Sequence, residues 1–147
     1  MKKILLIFVV FISFLYADSL FTLDGVQKLD IYIANKTSFI GTKEKDEIKK
    51  LLKDELSQNG FIFGEVDPIV LVLAISSKEI DENFVINIDF ILAEEVTAHR
   101  GGKNIKTFAN TYQMSELIES NEPLEDTKRT IDIILQQFIK SHKQDNL

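Results

Sequence analysis

The sequence predicts an α+β fold: a two-layer sandwich in the order β-α-β-β-β-α, with a four-stranded mixed sheet and two helices on one of its faces. Three observations predict it. Apolar residues recur at every second position in four separate stretches, the signature of half-buried strands. Two stretches instead space them by three and four, as a helix with one buried stripe does. The last three strands follow one another through short turns, which favours an antiparallel meander, and the first reaches the second through a helix, which suits a parallel pair with a right-handed crossover.

The elements follow in chain order. Residues 18–26 have little periodicity and form a lead-in. Leu29, Ile31 and Ile33 alternate with Asp30, Tyr32 and Ala34 as a first strand. Lys43 to Asn59 is a helix whose stripe is Ile48, Leu51, Leu52 and Leu56, closed by Gly60 as a left-handed cap. After Asp67-Pro68, Ile69, Leu71, Leu73 and Ile75 mark a second strand, apolar on both faces at its start. Ser77 to Asn83 reads as a polar turn. Phe84, Ile86, Ile88, Phe90 and Leu92 form the clearest alternation, which runs on through Val96 and Ala98. Gly101-Gly102 is a hairpin dipeptide. Lys103 to Met114 returns as the fourth strand, with Phe108, Tyr112 and Met114 in one phase that Asn110 interrupts. Ser115 to Pro123 is a linker. A last helix runs from Leu124 to about His142, lined by Ile131, Ile134, Leu135 and Phe138 and widened by Ile133 and Ile139, and Lys143–Leu147 should fray.

Composition narrows the function classes. The chain has 147 residues, with 17 Lys+Arg against 23 Asp+Glu, two His and no Cys. One domain fits that length, as residues 18–147. A disulfide scaffold and any cysteine-ligated site are excluded. Met1-Lys2-Lys3, an apolar run from Ile4 to Tyr16 and the small Ala17 read as a secretory signal peptide over residues 1–17, its apolar run short for a membrane span; the alternative is an uncleaved N-terminal anchor. Its two lysines and brevity point to a bacterial export signal and a periplasmic protein. The leader carries Lys2 and Lys3 and no acid, so the net charge of −6 becomes −8 on its removal. Nucleic acid is therefore not an expected partner. No cysteine follows the leader to take a lipid, so membrane contact would come only through a partner.

No Cys-x-x-Cys, His-Glu-x-x-His, P-loop or Gly-x-Ser-x-Gly is present. Glu94, Glu95 and His99 lie near one another, but adjacent strand residues point to opposite faces, and His99 is about 13 Å along from Glu95. An exposed hairpin tip accounts for them. Asn35-Lys36-Thr37 matches the minimal glycosylation tripeptide, which is frequent by chance. The expectation is no catalytic residue, no metal and no cofactor, and a protein that is not an enzyme. The remaining feature is the sheet face away from the helices, carrying Tyr32, Val70, Val72, Val85, Asn87 and Ile91. Its aliphatic members, with Tyr32, are the candidate contact face for a partner or an acyl chain. The alternative is that the lead-in, with Leu20, Phe21 and Leu23, covers it.

In layout the chain resembles the LptE-type lipopolysaccharide-assembly lipoproteins and the auxiliary lipoproteins of ABC-type lipid transporters. The residues are the helix end Leu51-Leu52-Lys53-Asp54-Glu55-Leu56-Ser57-Gln58-Asn59-Gly60-Phe61, the strand opening Leu71-Val72-Leu73, the long hairpin, and the last helix at Thr130–Ile139. The resemblance covers most of residues 28–141. Those families are anchored through a lipid-modified Cys that this chain lacks. Leu29–Phe63 also resembles the strand-helix-strand docking modules of flagellar outer-membrane and TolB-type N-terminal domains. Either resemblance implies a non-catalytic binding or assembly module in cell-envelope biogenesis or transport, with an envelope protein as partner; a carrier of a lipid or other apolar small molecule is the alternative.

Overall fold

A computed structural model describes residues 22–64 and 69–147. The expected signal peptide, Leu20, Phe21 and the Asp67-Pro68 break lie outside the described residues. The elements are β1 (Asp30–Lys36), α1 (Thr42–Gln58), β2 (Val70–Ile80), β3 (Asn83–Arg100), β4 (Lys103–Ser120) and α2 (Pro123–Asp145). They form one open sheet in the order β1-β2-β3-β4. β1 and β2 are parallel, and the other two pairings are antiparallel. Both helices cover one face, α1 over β1 and α2 across β3 and β4. Two contacts tie the helices together, Lys128 to Glu47 and Gln136 to Glu55. Both partners advance by the same eight residues, so the helices run parallel.

The core follows the alternation. Ile31 and Ile33, Leu71, Leu73 and Ile75, and Ile86, Ile88, Phe90 and Leu92 all point under the helices and are buried. From α1 come Ile48, Leu52 and Leu56; from α2, Ile131, Ile134, Leu135, Phe138 and Ile139. Two stripe residues depart from expectation: Leu51 is 47% exposed and Ile133 50%. α1 packs only on β1 and the flank of α2, so a stripe spaced by four suffices, and Leu51 lies at the rim of the shallow groove beside Lys128 and Ile131.

α1 opens on Gly41, where the Glu44 carboxylate accepts the Gly41 N–H at 3.0 Å. Hydrogen bonds from the N–H groups of Glu44 itself and of Gly41 hold that carboxyl below its usual pKa. α1 ends as expected: Gly60 takes φ +93°, the Gly60 N–H bonds to Ser57 O and the Phe61 N–H to Leu56 O. That double closure drops Phe61 into the core beside Leu56.

Several strand boundaries correct the sequence reading. Ser77–Ile80 belongs to β2, and the turn is only Asp81-Glu82, with Asp81 at φ +54°. Ser115–Ser120 is strand, not linker. On the open side Ser115 and Glu119 are polar and Leu117 is exposed, and the segment keeps full backbone pairing with β3. The connection to α2 is short because Ser120 Oγ donates to Asp126 at 2.6 Å and accepts the Glu122 N–H at 2.9 Å.

The fourth strand also changes phase. Leu92 pairs with Tyr112 but Ala93 pairs with Asn110, leaving Thr111 as a one-residue bulge. Tyr112 and Met114 therefore face the helices, while Phe108, expected in their phase, faces the other way and is 62% exposed. Past Ala93, β3 and β4 leave β2 behind and continue as a two-stranded arm of seven residues per side, about 23 Å long. Gly101-Gly102 turns its tip, both left-handed as the two-residue hairpin requires.

The C-terminal segment is ordered where fraying was expected. The Asp145 carboxylate accepts the Leu23 N–H at 2.7 Å, and Asn146 accepts the Gly25 N–H and donates to Leu23 O. His142 Nε2 donates to Val26 O at 2.6 Å and its ring lies 4.4 Å from Phe61. This clasp draws Leu23 and Val26 into the core beneath the helices.

Burial pushes the Tyr112 phenol above its ordinary pKa of 10.0; a Ser141 hydrogen bond opposes the shift and the Asp145 charge adds to it. The folded state thus holds this proton more tightly than the unfolded chain. Its stabilising contribution is complete below the ordinary phenol pKa and is lost as pH climbs through the raised folded value. Urea midpoints should be flat to about pH 9 and fall above about pH 10, and Tyr112→Phe should remove that share of the slope.

Candidate functional site

The face away from the helices is built by pairing. Tyr32, Val72 and Ile91 form one row across β1, β2 and β3. Asp30, Val70 and Ala93 form the next row, and Ala34, Ala74 and Asp89 the row on the other side. Neighbouring strands lie about 4.8 Å apart, so Tyr32, Val72 and Ile91 touch as a continuous strip with Val70 beside it. No described element covers them. The aliphatic residues are half-buried by one another and Tyr32 is 59% exposed.

Val85 stands apart. It pairs with Lys78 and Glu119, six residues along β3 from Ile91, about 20 Å away. Asn87 and Asp89 lie between. The lead-in was the alternative cover, but its Leu23 is buried on the helix side by the clasp.

Polar groups border the strip on one flank. Asp89 accepts from Asn87 Nδ2 and from Ser115 Oγ, each at 2.6 Å, and Gln113 donates to Ser115 at 3.2 Å. Beside the strip, Ala34 and Ala74 leave a shallow hollow rimmed by Lys36, Ser76 and Asp89. The sequence reading missed this hollow, because two alanines on separate strands become neighbours only through register. It also missed Leu117, on the same face and 69% exposed, having placed it in a linker.

The titratable groups near the arm do not converge. Glu94 accepts from Thr111 Oγ1 at 2.7 Å on the helix-side face. Glu95, on the other face, pairs with Lys106 at 2.8 Å, and that hydrogen bond and charge raise the lysine pKa. His99 donates to Asn104 at 2.6 Å. Asn35 holds its own loop, donating to Ile40 O and accepting from Thr37. Among the described residues no three His, Asp or Glu side chains are placed to hold a metal ion.

No protein-family model matches the chain, and no curated protein does. One similar solved structure is a minor lipoprotein from Acinetobacter baumannii, 17% identical, with a TM-score of 0.39, over 78% of this chain and 89% of that one. Among the described residues no helix is long and apolar enough to cross a membrane.

Proposed function

We propose that this protein is an exported, non-catalytic binding module of the periplasm that docks an envelope protein on the Tyr32–Val72–Ile91 strip. The observation that carries the reading is that strip: contiguous, apolar, uncovered by any described element, and set on an acidic domain. The leader sequence supports export. Both histidines and the two glutamates near the arm's root are engaged in structural pairs: Glu94 with Thr111, Glu95 with Lys106, His99 with Asn104 and His142 with Val26. In its sharper form the module is a helper of an envelope transport or assembly machine, the role that the LptE-type layout implies.

A photo-crosslinking residue at Tyr32, in the protein's own cells, should capture one dominant envelope protein; the same residue at Val85 should capture much less of it. Equal capture at both positions, or none at Tyr32, would reject the strip as the docking site. Stoichiometric lipid in a solvent extract, without a protein adduct, would make the protein a carrier instead.

A further inference from the structure

We propose that the outer edge of β4 is the contact with a second copy of this chain, joined antiparallel about a two-fold axis at the Thr111 bulge. The first observation is the arm. A two-stranded ribbon is marginal in water, yet this one runs seven residues per side beyond β2, with Phe108 exposed near its root and Ile105 exposed towards its tip. It is a sheet short of its third strand. β4 ends the strand order, so it is the edge strand of the described sheet along its 18 residues.

The second observation is complementarity of β4 with itself. The arm half carries Lys103 and Lys106; the root half carries Glu116 and Glu119. Edge lysines ordinarily repel a second strand, but an antiparallel copy sets the basic half against the acidic half. The bulge reverses the inward–outward phase between the halves. An axis there, with Thr111 of each copy opposite Tyr112 of the other, makes the faces coincide.

In that register Ile105 meets Ile118 of the second copy, both on the helix side. On the open side Phe108 meets its Ser115, with its Leu117 on the diagonal. These are the two most exposed large apolar side chains within the strands, 62% and 69%. Lys106 has Glu119 of the second copy on the diagonal, and every contact occurs twice by symmetry. The product is a continuous eight-stranded sheet whose Tyr32 strips lie near opposite ends, so this interface is separate from the docking strip.

The chain has no cysteine, which gives a clean test. Sedimentation of the purified protein should give twice the single-chain mass. The exposed pair Phe108→Cys with Ser115→Cys should oxidise to a covalent dimer; within one chain these positions are about 20 Å apart and cannot join. Ser115→Cys alone should stay uncrosslinked. Glu119→Lys should weaken self-association about tenfold by setting lysines against Lys106, and adding Lys106→Glu should restore it. A single-chain mass at every concentration up to about 1 mM would overturn the proposal. So would a dimer that the double-cysteine chain fails to capture.

Discussion

Phe138→Ala should destabilise the fold by about 3–5 kcal/mol, a large share of the roughly 5–15 kcal/mol typical of a domain. The ring is fully buried and has aromatic neighbours from three other parts of the chain. Phe61 stacks on it at 5.7 Å, and Phe90 and Tyr112 meet it edge-on at 5.3 Å each. Truncation leaves a cavity where α2, β3, β4 and the segment after α1 converge, and these rigid elements collapse into it poorly. The midpoint of urea unfolding should fall with the slope unchanged. Phe138→Leu, which keeps most of the volume, should cost only about 1–1.5 kcal/mol. A loss below about 1 kcal/mol for the alanine variant would mean that this cluster is not the centre of the core.

The second large effect is expected at the clasp. Asp145→Ala with Asn146→Ala removes the acceptors of the Leu23 and Gly25 N–H groups and the donor to Leu23 O. The pair should cost about 2 kcal/mol, less than the sum of isolated bonds because part of the site is exposed. Hydrogen exchange should speed up at Leu23 and Val26 while amides of β2 and β3 keep their protection. Unchanged exchange at Leu23 would show that apolar burial alone holds the lead-in.

The sequence showed the architecture where one face of an element is buried. Leu29–Ile33, Leu71–Ile75 and Phe84–Leu92 had to alternate because the helices cover only one side of the sheet. It could not show Ser77–Ile80 or Ser115–Ser120 as strand, because most of their side chains are polar or exposed and carry no clear alternation, while their backbones stay paired with β3. The Thr111 bulge was hidden for a related reason: one extra residue can be recognised only against the strand it is paired with. Asn110 marked the interruption without telling which side of it Phe108 belonged to. At the candidate site, alternation put Tyr32, Val70, Val72, Val85 and Ile91 on one face, but the row each occupies depends on register. Register joins four of them and sends Val85 into a charged neighbourhood. The clasp left no trace in apolar periodicity, since it is built from polar side chains reaching backbone groups far away in sequence.

The strand order has a consequence for the timing of folding. Every strand's sheet neighbour is also its neighbour along the chain. The β2–β3–β4 meander closes two-residue loops and pairs outward from them, so its search is short and its rate should be set by local zippering. β1 joins across α1 at a moderate loop-closure cost. The contact between Leu23 and Asp145 is of another kind, spanning 122 positions. A chain emerging from its N-terminus can assemble the sheet and α1 early, but Leu23 cannot be locked into place until the last turn of α2 has emerged.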